Sequence, residues 1–235
     1  MHLCTADFLP KLPSNTIMFN TEQLISGGAN HVCDKILAMA RNFEVWDYHP
    51  ENIDFFRQHG IHAKLFEIGY QKELQHIPLS PQPDIDVLFF GSINQRRADV
   101  LNALLKRDVK LEYLINVFGQ RRNEMIARAK VVLNMHYYES KIFEIIRCSY
   151  LMNNGVAIVS ECDDSHIHPR YLPAIVPARY DELVDKCVQL VRDDDLRRAQ
   201  QQRALATLQQ YPQTEFTRAL LAPPKKRQFT LSVSI

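Results

Sequence analysis

The sequence predicts an α/β protein of two Rossmann-like units with parallel sheets, the first of them abbreviated. Three observations point there. Short apolar runs alternate with stretches of helical periodicity along most of the chain. A proline-rich break, Gln71 to Asp84, divides that alternation into two blocks. In the second block, Asp86 to Phe90 and Val131 to Leu133 are dense in apolar residues, as strands buried on both faces require.

In the first block, Asn15 to Phe19 reads as a strand and Asn20-Thr21-Glu22-Gln23 as the loop beyond it. Gly27-Gly28 opens a helix over Asn30 to Arg41, with Val32, Ile36, Leu37 and Ala40 at helical spacing. Phe43 to Trp46 is the next strand, ending in Asp47-Tyr48-His49. Pro50 suits a first helical position, the helix runs to about His59, and Ile61 to Ile68 returns as a strand. The segment IPLSPQPD, with three prolines, reads as a linker. The expected domains are therefore 1–78 and 79–221, followed by a tail over 222–235.

In the second block, the strand Asp86 to Phe90 stops at Gly91-Ser92-Ile93-Asn94. A helix follows over Arg96 to Arg107, then a strand at Leu111 to Ile115 and a short helix at Gln120 to Ala129. After the strand at Val131 come His136, Tyr137, Tyr138 and Glu139, a helix from about Ser140 to Asn154, Gly155, and a strand at Val156 to Val159. Ala174 to Val176 is a candidate edge strand, and Tyr180 to Val191 and Asp194 to Gln209 are amphipathic helices.

Composition narrows the function classes. A net charge of +1 gives no bulk field for nucleic acid or an anionic membrane. The five cysteines are scattered, with no CxxC pair, which argues against a zinc site or a disulfide framework and fits a reducing cytoplasm. The opening MHLCTADFLPKLP lacks the basic-then-apolar pattern of a signal peptide. No Walker loop is present and no GxGxxG follows a strand, so ATPase and NAD dehydrogenase readings lose support.

Ligands of open α/β sheets bind beyond the carboxyl ends of the strands, near helix N-termini. Two loops qualify. Gly91-Ser92 lets backbone N–H groups approach a phosphate, and Ser92, Asn94, Arg96 and Arg97 add hydrogen bonds or charge. The same turn is also what an ordinary strand–helix connection looks like. In the second loop, Lys141 would lie in the first helical turn, with Glu144 and Arg147 on the same side. The plainer alternative is an intrahelical charge ladder, but the helix is otherwise apolar, and buried charges want a partner or a ligand. Asp84-Ile85-Asp86 precedes its strand and reads as an entry turn, and His166-Ile167-His168 is too small a cluster for a metal.

DVLFFGSINQRR, then ARAKVVLNMHYYESKIFEIIRCSYLMNNGVAIVSE, then YDELVDKCVQLV, resembles the carboxy-terminal half of GT-B-fold glycosyltransferases, nearest to bacterial family-1-type and spore-maturation-like enzymes. TIMFNTEQL and EVWDYHPENIDFFRQHGIHAKLFEIGY are similar to the later part of that fold's first domain. The likeness covers roughly residues 15 to 195. It implies a GT-B-like architecture and metal-independent transfer of a sugar from a nucleotide-diphosphate donor, with no cofactor. On that resemblance, the Gly91-Ser92 turn lies near the diphosphate with Lys141, and Glu139 and Glu144 face sugar or ribose hydroxyls; Asn94, Arg97 and Arg147 are further donor-binding candidates. Retaining members carry two glutamates separated by seven residues, whereas eight residues after Glu139 stands Arg147. Glu22 is the favoured base for the acceptor hydroxyl, ahead of Asp47 and His31, and His136 is the second catalytic candidate. The expected partners are the nucleotide sugar, an unidentified acceptor, and a second copy able to complete the short first domain. The alternatives are a noncatalytic GT-B-like binding module and a different nucleotide-binding enzyme such as a phosphotransferase.

Overall fold

A computed structural model of the chain describes residues 12, 13, 15–24, 30–137, 141–162 and 167–222, of which 30–32 are described in backbone only. The first sheet has three parallel strands in the order β1 (Ile17–Asn20), β2 (Glu44–Asp47) and β3 (Ala63–Leu65). Helices α1 (Asn30–Ala40) and α2 (Pro50–Gln58) make the crossovers. Pro50 opens α2, where the His49 side chain accepts from the Glu51 N–H. Ile36, Val45, Phe56 and Ile61 form the small core of this unit. β3 is shorter than the apolar run Ile61 to Ile68: Phe66 still donates to the Asp47 carbonyl and stacks on Trp46, and the chain then leaves the sheet.

The second sheet has five parallel strands in the order β5 (Leu111–Leu114), β4 (Ile85–Phe90), β6 (Ala129–Asn134), β7 (Ile158–Glu161) and β8 (Val176–Ala178). Alternate residues of its central strands enter different cores, as the period of two requires. Leu88, Phe90 and Val132 pack with α4 (Gly119–Arg128), α5 (Ile145–Asn153) and α7 (Asp194–Gln209). Val87, Phe89 and Val131 pack with α3 (Gln95–Leu105) and α6 (Leu183–Arg192). From β4 the chain goes outward to β5 and then crosses back to β6 on the other side. The carboxyl ends of β4 and β6 thus flank a topological switch point, where such sheets bind ligands.

α5 begins at Ile145, five residues later than its periodicity predicts. Ile142 and Phe143 are buried in the core ahead of it and hold the approach in a non-helical path. Lys141 consequently lies outside the helix, exposed and with φ +52°. The residues expected to form a linker are bonded to the second unit. Asn154, at the end of α5, accepts from the His76 and Ile77 N–H groups at 2.9 and 2.8 Å and donates to the Leu74 carbonyl. A final helix, α8 (Gln213–Leu221), carries no signal recognised in the sequence. Its start pairs with the linker: Tyr70 donates to the Tyr211 carbonyl and Gln213 to the Tyr70 carbonyl, each at 2.8 Å. A Cβ on Gly69 would collide with the Tyr211 carbonyl, so this close approach requires glycine.

The two units meet through the loops beyond β1 and β2. Tyr48 packs into the core of the second unit, and Gln23 donates to the Ile142 carbonyl. No helix among the described residues is long and apolar enough to cross a membrane.

Candidate functional site

A cleft of about 870 Å³ lies where the units face each other. The first unit contributes Glu22, Tyr48 and Phe66 to its wall, and the second contributes Gly91, Ser92, Arg122, Glu144, Arg147 and Tyr150. The cleft thus coincides with the switch point of the larger sheet.

The floor is built around Arg97, which is 2% exposed. The Asn94 side chain caps α3 by accepting from the Arg97 N–H, and its amide donates to the Tyr137 carbonyl. The Arg97 guanidinium donates to the carbonyls of Ser92, Met135 and His136 and to Glu144. It therefore ties the loop after β4 to the loop after β6, with all three guanidinium nitrogens engaged. Neither Arg97 nor Asn94 lines the cleft. Both residues were expected at the donor; in the structure their side chains are bonded to the loops after β4 and β6.

Glu144 sits between two guanidiniums, accepting from Arg97 at 3.2 Å and from Arg147 at 2.7 Å. Arg147 also donates to Asn134 Oδ1 at 2.9 Å. Gly91, with φ +140°, provides room: a Cβ there would stand 3.2 Å from one Arg147 nitrogen and 3.4 Å from an Arg97 nitrogen. Glu144 and Arg147 do form an ion pair one turn apart, as a charge ladder would, but they do so in the wall of the cleft.

Arg122 was not singled out in the sequence. It comes from the first turns of α4, and its guanidinium lies over the rings of Tyr150 and Phe90, at 5.0 and 5.6 Å. Arg147 lies 5.4 Å from the same Phe90 ring. Two arginines thus flank the residue that ends β4, immediately before Gly91. Arg122 Nε is buried and has no hydrogen-bond partner among the described residues. A pair of cations beside a glycine turn suits a diphosphate. The available signal was Arg121-Arg122 opening a helix after a β-strand, a pattern too common to single out.

Other expected site residues fall elsewhere. His136 is 4% exposed and does not line the cleft; its N–H donates to Glu161 and its carbonyl accepts from Arg97. Lys141 does not line the cleft either, and Glu139 lies outside the described residues, as does the His31 side chain. Arg96 is engaged by Glu161 and lies 4.0 Å from the centre of the Tyr180 ring. Burial works against ionisation of Glu161, but the Arg96 hydrogen bonds and the nearby His136 hold its pKa below the usual value. Asp84 pairs with Arg128 and Asp86 with Lys130, so both aspartates serve strand entry.

On the opposite wall, Glu22 is held through its backbone. Its N–H donates to Asn20 Oδ1, and its carbonyl accepts from the side chains of Asn20 and Asn52. Both asparagines also donate to Asp47, which is fully buried and takes a further bond from the His49 N–H. Burial pushes the Asp47 pKa up to about 6, against the lowering effect of those hydrogen bonds. The folded state thus keeps a proton that the unfolded chain gives up at lower pH. Stability from this group is present at acid pH and falls as pH rises from about 4 to 6, by roughly 3 kcal/mol. Urea midpoints of wild type and Asp47→Asn, measured across that range, are expected to diverge by that slope. Parallel curves would show that Asp47 does not take up the proton.

No family model matches the sequence. The chain is 28% identical over 191 residues to uncharacterized protein L140 of Acanthamoeba polyphaga mimivirus, covering 75% of this chain and 59% of that protein. It is 27% identical over 201 residues to L138 of the same virus, covering 80% and 22%. It therefore spans less than two thirds of the length of either relative. Among solved structures, Anabaena HepE in complex with UDP and glucose superposes with a TM-score of 0.62 at 10% identity, over 88% of this chain and 70% of that one. TarM superposes at 0.60 with 12% identity, over 88% and 49%. Sucrose-phosphate synthase from Thermosynechococcus elongatus gives 0.55 at 10% identity, over 87% and 65%. Two facing parallel-sheet units, a cleft at the switch point of the second, and these superpositions give the chain the GT-B fold.

Proposed function

We propose that the protein is a glycosyltransferase that uses a nucleotide-diphosphate sugar without a metal ion. The observation that carries this reading is the Arg122–Phe90–Arg147 arrangement beside Gly91, at the switch point of the larger sheet and facing Glu22 across the cleft. Its support from outside the chain is the shared fold with HepE, a structure solved with UDP and glucose. In the reaction, the bond between the anomeric carbon and the leaving phosphate oxygen breaks, and the acceptor oxygen bonds to that carbon. Negative charge gathers on the diphosphate, where Arg122 and Arg147 are placed to stabilise it. In the inverting form of this reading, Glu22 takes the acceptor proton. Glu144, held by two arginines, is positioned to accept from sugar or ribose hydroxyls.

Calorimetry of the wild type against UDP, GDP, UDP-glucose and GDP-mannose tests the reading. Binding of a nucleotide, followed by slow hydrolysis of its sugar conjugate, is the expected result. Glu22→Gln is expected to leave that binding unchanged and to slow turnover by roughly 100-fold or more, the range of general-base catalysis. Binding without turnover would favour the noncatalytic module, and no nucleotide binding at all would refute both readings.

A further inference from the structure

A second cavity, of about 350 Å³, lies on the other side of Tyr48. It shares Tyr48 and Ile68 with the larger cleft, so the two spaces border one another at those residues. Resting on the transferase reading, we propose that this cavity is the acceptor site and that it takes the terminal residue of an uncharged glycan.

The chemistry of the lining selects that class. Phe143 and Tyr171 give apolar surface for the C–H face of a sugar ring. Tyr171 is fixed in place, its hydroxyl donating to the Ile68 carbonyl at 2.6 Å. Glu51 and Glu67 provide acceptors for hydroxyl groups. The same carboxylates oppose an anion. The arginine beside them, Arg170, is engaged by Glu67 at 2.7 Å. His168 gives no compensating charge at neutral pH, because burial and the Arg170 guanidinium hold its pKa below the usual value. Among the described residues, no arginine or lysine lines this cavity, whereas Arg122 and Arg147 line the larger cleft, so a phosphorylated acceptor is better matched there. An alkyl chain would offer the carboxylates of Glu51 and Glu67 no hydroxyl to accept from.

The test measures nucleotide release from the donor bound best by the wild type. The protein is assayed alone, with methyl glycosides of glucose, galactose and mannose, with glucose 6-phosphate, and with dodecanol. A neutral glycoside is expected to raise the rate roughly tenfold over hydrolysis. Leu65→Trp fills the cavity from an exposed position, and Glu51→Gln removes a charged acceptor; neither residue lines the larger cleft. Both variants are expected to raise the glycoside KM severalfold and to leave nucleotide affinity unchanged. Nucleotide binding without stimulation by any neutral glycoside overturns the acceptor assignment alone. So does stimulation only by the phosphorylated sugar or the alcohol, or a glycoside KM that neither variant alters. Absence of nucleotide binding overturns the transferase reading, and this inference with it.

Discussion

Arg97→Met is expected to destabilise the protein by about 3–5 kcal/mol, the cost of removing one member of a buried ion pair. Methionine fills much of the same volume but donates nothing. Three carbonyls, of Ser92, Met135 and His136, lose their guanidinium partner in a place that water does not reach. Glu144 keeps Arg147 and so retains one cation. Because Arg97 joins the loops after both central strands, the loss is expected to lower nucleotide affinity as well, by letting those loops separate. Urea unfolding with tryptophan fluorescence gives the first quantity and calorimetry the second. A loss of stability under about 1 kcal/mol, the range of a surface pair, would show that Arg97 is not the support described here.

Arg122→Ala gives the largest expected effect on binding with the least expected effect on the fold. Hydrogen bonds to charged groups contribute about 1.5–3 kcal/mol each, or roughly 10- to 100-fold in affinity. Arg122 stacks on Phe90 and Tyr150 and is half-buried, so its removal leaves the core intact. Arg147→Ala is expected to weaken nucleotide binding similarly, with some loss of stability because Glu144 and Asn134 lose a donor. Arg122→Lys should restore binding only in part, since an ammonium lacks the planar stacking of guanidinium on the two rings. Unchanged UDP and GDP affinity in both alanine variants would remove the diphosphate from this pair.

The fold was legible because its signals are local. Apolar runs marked the buried central strands β4 and β6, and glycine and asparagine marked helix ends, whereas the prolines fall in a segment already bonded to the larger unit. α5 was misplaced at its start because periodicity registers Ile142 and Phe143 as helix-facing, whereas both are anchored in the core before the helix begins. The site was legible as a place more than as a set of roles. Gly91, Ser92, Glu144, Arg147 and Glu22 do line one cleft. Arg97 and Arg122 both follow strands by a few residues, and their sequence contexts look alike. Only tertiary packing distinguishes them: Asn94 turns Arg97 under the loops, while Phe90 and Tyr150 carry Arg122 at the surface of the cleft. Likewise nothing near Asn20 foretells its bond to Asp47, 27 residues away.

The attachment of the linker has a mechanical consequence. Residues 70–77 are bonded to Asn153 of α5, to Asn154 just beyond it and to the start of α8, and they extend the larger unit. Glu67 and Ile68 are held to it as well, by Arg170, Gln213 and Tyr171, so the crossing between the units narrows to the step from Phe66, still bonded to Asp47, to Glu67. That step passes beside both cavities, since Phe66 lines the larger and Glu67 the smaller. A change in its backbone angles would alter the width of the larger cleft and of the neighbouring cavity together.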